Sequence, residues 1–128
     1  MPAKRGKNSN LAEGKRGEDV AAEFLIRRGC RILKRNYSRA HAEIDLIALD
    51  GDTVVFVEVK TRHSQGFGGP VAAVNRVKQQ HLVRAARCFV AENQYDGLSF
   101  RFDVIAVTEG ASGDAAIRHF AGAFLLPV

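Results

Sequence analysis

Residues 43–62 read Glu-Ile-Asp-Leu-Ile-Ala-Leu-Asp-Gly-Asp-Thr-Val-Val-Phe-Val-Glu-Val-Lys-Thr-Arg, and this stretch decides the fold. Two apolar runs, Ile44–Leu49 and Thr53–Val59, flank Asp50-Gly51, a dipeptide suited to a tight hairpin turn. With Asp50-Gly51 as a two-residue turn, Leu49 pairs with Asp52, Asp45 faces Phe56 and Glu43 faces Glu58. Directly opposed residues share a face, and faces alternate along each strand. Glu43, Asp45, Glu58 and Lys60 therefore project from one side of the hairpin. Ile44, Leu46, Ala48, Val55, Val57 and Val59 occupy the other. A four-residue turn keeps this division, whereas a three-residue turn breaks it.

Three carboxylates and an ammonium thus gather in the most hydrophobic part of the chain. Like charges on neighbouring strands repel, and partly buried carboxylates lose hydration. A hard divalent cation with oxygen ligands would offset that cost. The plainer alternative is a solvated sheet face carrying a Lys–Glu pair. Against it, the acids fill three of four successive positions on that face, with Phe56 as the apolar exception.

Asp45, followed thirteen residues later by Glu58-Val59-Lys60, resembles the PD-(D/E)xK nuclease signature. The surrounding sequence resembles the bacterial YraN family. The matching stretches are Gly14-x-x-Gly17-Glu18-Asp19-x-Ala21-Ala22, Arg35-Asn36-Tyr37, Glu43–Ala48, Phe56–Arg62 and Arg101–Val104, with Ala42 where the family usually has Gly. The resemblance covers residues 10–108 and implies an α/β restriction-endonuclease-like core. It further implies similarity to Holliday-junction resolvases and a metal-dependent endonuclease acting on branched or structured DNA. In that reading Asp45 and Glu58, with the Val59 carbonyl, hold Mg²⁺ or Mn²⁺. Glu43 and Glu18 assist as outer or second-metal ligands, and Lys60 positions the attacking water. Two-fold resolvases act as dimers, so a homodimer is also implied. The alternative is a non-catalytic nucleic-acid-binding module on a nuclease-like fold.

The chain has 128 residues, a length suited to one domain, and carries a net charge of +5. Residues 1–40 hold eleven Lys or Arg against four acids, and the remainder hold eight against ten. A basic surface beside an acidic site suits a protein that attracts phosphates and holds a metal. Arg31, Lys34, Arg35, Arg62 and Lys78 are the candidate nucleic-acid contacts. Lys78 sits within an apolar stripe, where it either snorkels or points across the end of the hairpin toward phosphate.

Cys30 and Cys88 offer no zinc spacing, and the four histidines lack Ser or Cys partners at catalytic spacing. The loop 62–70 has neither a P-loop ending nor full dinucleotide spacing, and reads as a flap over the substrate. No secretory signal or membrane-spanning run is visible, which predicts a cytoplasmic protein.

Residues 1–9 read as a flexible basic arm, and 10–128 as a single domain. A capping box at Asn10 opens a helix to about Arg28. Cys30–Tyr37 reads as a strand, Ser38–Ala42 as a connector and Val71–Asn93 as a second helix. Leu98–Thr108 is a strand and Ala115–Phe120 an edge strand. The order is αβββαβ with an added strand, a mixed sheet flanked by helices.

Overall fold

The computed structural model describes residues 2–62, 75–95, 97–109 and 114–124, with residues 2–13 and Arg62 described by backbone alone. In chain order the elements are α1 (Pro2–Arg27), β1 (Arg31–Arg39), β2 (Ala42–Asp50), β3 (Thr53–Arg62), α2 (Arg76–Asn93), β4 (Ser99–Glu109) and β5 (Ala115–Phe124). The strands form one sheet in the order β1-β2-β3-β4-β5. Only β3 and β4 run parallel, and α2 supplies the crossover that a parallel pair requires. The expected α/β architecture is present: the αβββαβ order of a restriction-endonuclease-like core, with β5 added at the edge.

The decisive hairpin forms, with its turn one residue later than the dipeptide signal placed it. Asp50 pairs with Thr53 and Leu46 with Val57, so the turn is Gly51-Asp52 and the register slides by two. Gly51 takes φ 60° at the first turn position, a left-handed conformation that glycine adopts without steric cost. Because the slide is even, side chains keep their faces along the paired stretch. Asp45 therefore does not face Phe56, which pairs instead with Ile47. The recorded β2–β3 ladder ends at Leu46, so Glu43 does not pair with Glu58 either. There the Asp45 carboxylate takes over, accepting the Val59 N–H at 2.8 Å.

Alternation breaks at that point. Ile44 packs in one core with Ile47, Val54, Phe56 and the α2 residues Leu82, Ala85 and Phe89. Leu46 and Ala48 pack in the other, with Val55, Val57, Ile105 and the α1 residues Ala21, Ala22 and Leu25. The expectation that Ile44 shares a face with Leu46 is corrected accordingly. Asn36, on the neighbouring strand, adopts φ 52° in the same region, a left-handed conformation that Asn tolerates better than most residues. Each fully buried aliphatic or aromatic side chain contributes roughly 1.5–3 kcal/mol. Two such layers give the sheet enough stability to hold like charges together at its end.

The other boundaries differ in ways the backbone explains. The stretch read as a connector is mostly strand, because β1 and β2 meet through a two-residue turn. Its residues, Ala40 and His41, have φ 53° and 62°, the signature of a mirror-image hairpin turn that lacks the usual Gly or Asn cue. Helix α1 begins at Pro2, so the stretch read as a flexible arm continues the helix; proline near a helix start loses no intrahelical bond. Asn75 caps α2, its side chain accepting the Lys78 N–H at 2.9 Å, so that helix starts later than Val71. Strand β5 runs on to Phe124, which stacks on Phe102 at 4.6 Å. Buried Asp103 pins β5 to β4 where their register shifts. It accepts from Arg101 Nε at 3.0 Å and Gly122 N at 2.9 Å, and meets His119 Nε2 at 2.6 Å.

Gly17 explains how α1 lies so close to the sheet. A Cβ there would sit 2.2 Å from Thr61 Oγ1 on β3. Gly17→Ala is therefore expected to lower stability by about 1–3 kcal/mol through overpacking, despite alanine's better helix propensity. Adding Thr61→Ala should restore most of the loss. Thermal unfolding of the two single variants and the double variant checks this, and an undiminished melting temperature in Gly17→Ala would show that the helix has room to shift. Gly14, the companion glycine, meets nothing within 4 Å.

Candidate functional site

The acids converge where the β2–β3 ladder ends. Glu18 of α1, Glu43 and Asp45 of β2 each offer a carboxylate oxygen, and these oxygens all lie within 4.8 Å of one another. Glu18 is delivered by the close approach at Gly17, one residue earlier in the helix. With its amide nitrogen turned toward the acids, Asn36 donates to Glu18 Oε1 at 3.0 Å and Glu43 Oε1 at 3.3 Å. That bond fixes the relative placement of a helix and a strand. Sequence reasoning gave Asn36 no role; an Asn inside an otherwise basic strand was the available signal.

The electrostatics follow from crowding. Burial pushes the Asp45 carboxyl up to about 7, the charges of Glu58, Glu18 and Glu43 add to the rise, and the Val59 N–H opposes it. Burial also raises Glu18, with Glu43 contributing and the Asn36 bond opposing. Two carboxylates raised by burial and by neighbouring acids favour a bound cation in place of protons. The donor set fits a hard ion. Three carboxylate oxygens from Glu18, Glu43 and Asp45 are the kind of ligand that a hard divalent ion takes.

Glu58 is held differently from the expected pairing with Asp45. It lies outside the group of three and is nearly buried. Its Oε1 accepts from Lys60 Nζ at 3.2 Å and from Lys78 Nζ of α2 at 2.7 Å. Burial lowers the Lys60 pKa and contact with Lys78 lowers it further, against the pull of Glu58. For Lys78 burial is the largest single influence and acts downward, but the bond and charge of Glu58, contact with Lys60 and the charge of Asp45 together outweigh it and its pKa rises. Lys78 thus points across the end of the sheet instead of snorkelling.

The sequence profile of the uncharacterised protein family UPF0102 matches residues 17–107, which include every one of these side chains. The chain belongs to UPF0102, the YraN family. It is similar to a UPF0102 protein of Chloroherpeton thalassium, 48% identical over 100 residues and covering 78% of each chain. A UPF0102 protein of Geobacter sulfurreducens is 41% identical over 126 residues, covering 98% of each. Another, from Rhodococcus opacus, is 42% identical over 115 residues, or 90% of this chain and 98% of the relative.

Within the UPF0102 fold the basic candidates separate. Arg31 and Lys34 are exposed on β1, whereas Arg35 is bound to Asp19 of α1 at 2.6 Å. Lys78 belongs to the acid site. The Arg62 side chain and residues 63–70, the rest of the loop read as a flap, lie outside the described residues. Cys30 and Cys88 are free thiols that pack against opposite faces of the sheet, in keeping with small apolar-like residues. Among the described residues, no helix is long and apolar enough to cross a membrane.

Proposed function

We propose that this UPF0102 protein is a metal-dependent endonuclease that hydrolyses phosphodiester bonds in DNA, with branched or otherwise structured DNA as its substrate class. The observation that carries the reading is the convergence of Glu18, Glu43 and Asp45 beside Glu58 and Lys60. Glu18, Glu43 and Asp45 hold Mg²⁺ or Mn²⁺, with Glu58 and the Val59 carbonyl as further oxygen ligands within reach of this end of the sheet. When bound, such an ion supplies an acidified water and positive charge against the phosphate. Glu58 orients Lys60, whose ammonium faces the charge that builds on the phosphate oxygens. Asn36 keeps the α1 and β2 acids in register with each other. The exposed Arg31 and Lys34 attract the DNA backbone.

The test is incubation with linear duplex, single-stranded and four-way-junction DNA, with and without Mg²⁺ or Mn²⁺. Metal-dependent cleavage of at least one of these is the expected result. One observation favours the rival reading of a non-catalytic DNA-binding module: two lysines already occupy Glu58 Oε1. Tight DNA binding with no cleavage under either metal would make that rival the better account.

A further inference from the structure

A second concave site adjoins the acids. A pocket of about 460 Å³ lies between β1 and the C-terminal part of α2, a volume within the range of small-ligand sites. Asn36 joins the two, since it lines the pocket while its amide reaches Glu18 and Glu43. A strand held at the acids therefore lies beside a residue that borders the pocket.

The lining combines flat surfaces, hydrogen-bonding edges and a basic rim. Tyr95 is half-buried and its ring stacks on Phe89 at 5.7 Å with a 26° tilt. The planar guanidinium of Arg39 lies 5.1 Å over the Tyr37 ring. Glu92 is clamped by the Tyr37 hydroxyl at 2.5 Å and Arg39 Nε at 3.1 Å. The Asn93 amide, which donates to the Phe89 carbonyl at 2.8 Å, supplies a further polar edge. Lys34 stands exposed at the rim.

A simple anion would make no use of the aromatic floor, and an acidic peptide would meet Glu92. A lipid tail would meet charge and amide on most sides. A nucleobase matches all three features: a π face for Tyr95 or Arg39, donor and acceptor edges for Glu92 and Asn93, and a phosphate for Lys34. We infer that this pocket receives an unpaired nucleobase from the strand bound at the acid site. The inference rests on the proposed function for the identity of that strand. It adds a reason for a preference for structured DNA, because perfectly paired bases are not available to enter.

Fluorescence anisotropy in EDTA, with labelled oligonucleotides, tests the pocket without requiring cleavage. A duplex with one unpaired nucleotide is expected to bind roughly five- to a hundredfold more tightly than the blunt duplex, the span of one base–aromatic stack. The same bulge carrying an abasic site should lose that gain, and so should Tyr95→Leu, which keeps the apolar contact with Phe89 but removes the ring. Arg39→Ala, at an exposed position, gives a second variant should Tyr95→Leu fail to fold. An abasic bulge bound as tightly as the base-bearing one would overturn the pocket, as would an unchanged preference in both variants. Metal-dependent cleavage with no response to the unpaired base would refute the pocket alone. Base-dependent binding with no cleavage would refute the nuclease alone.

Discussion

Asp45→Asn is expected to make the metal-free protein more stable than wild type at pH 8, although it removes a charged side chain from the centre of the site. The folded-state Asp45 carboxyl titrates at about 7, against an ordinary value of 3.8. Between these values the native state binds more protons than the unfolded state, so wild-type stability falls as pH rises from about 4 to about 7. The fall attributable to this group is at most about 4 kcal/mol, from roughly 1.4 kcal/mol per pH unit. The substituted amide would still accept the Val59 N–H through its oxygen but would not ionise, so the variant should lack that fall. Glu18, raised for the same reason, leaves a smaller residual slope in both proteins. Excess Mn²⁺ should close much of that gap. Saturation at a hundred times the dissociation constant adds about 2.7 kcal/mol to a protein that binds the ion only when folded, and Asp45→Asn should gain little. Urea unfolding from pH 4 to 8, in EDTA and in Mn²⁺, measures both effects. Parallel pH profiles and equal responses to Mn²⁺ would remove Asp45 from the site.

The second large effect concerns Lys60. Lys60→Ala should lower the cleavage rate by about a hundred- to ten-thousandfold, the usual range for loss of one positioned proton-transfer or charge-stabilising group. Affinity for uncleaved DNA should hardly change, because ground-state binding comes from the basic surface instead. The fold should tolerate the change, since Glu58 keeps its 2.7 Å bond to Lys78 and is not left as a buried charge without a partner. Single-turnover cleavage and anisotropy on the same DNA separate the two quantities, with circular dichroism to establish folding. A folded Lys60→Ala protein that cleaves as fast as wild type would place the activity at another site or in a contaminant.

The hairpin was legible from residues 43–62 because its pattern is local. Apolar runs of period two on either side of a turn signal fix two strands and the side each residue takes, and an even slide in register left that division intact along the paired stretch, while Ile44, beyond the end of the ladder, lies on the other side. The parallel partner β4 and the two helices followed from their apolar stripes in the same way, although the helices start at Pro2 and Arg76 and not where the start signals at Asn10 and Pro70 placed them. The turn at Ala40-His41 was not legible. Neither residue is the Gly or Asn that the mirror-image conformation favours, and the pairing of β1 with β2 imposes it.

The sequence by itself determined which side chains the proposed chemistry calls on: Glu18, Glu43, Asp45, Glu58 and Lys60 were all named from spacing, periodicity and the family resemblance. Tertiary structure alone decided their grouping. Glu43 joined Glu18 because the β2–β3 ladder stops at Leu46 and alternation breaks beyond it. Gly17, which leaves no room for a Cβ against Thr61, set the height of α1 over the sheet. Lys78 turned inward because α2 crosses above Glu58, where a nearly buried carboxylate attracts a second ammonium. Side-chain facing within a strand is set by neighbours in the sequence. The end of a ladder, the height of a helix and the partner of a buried charge are set by residues far away along the chain.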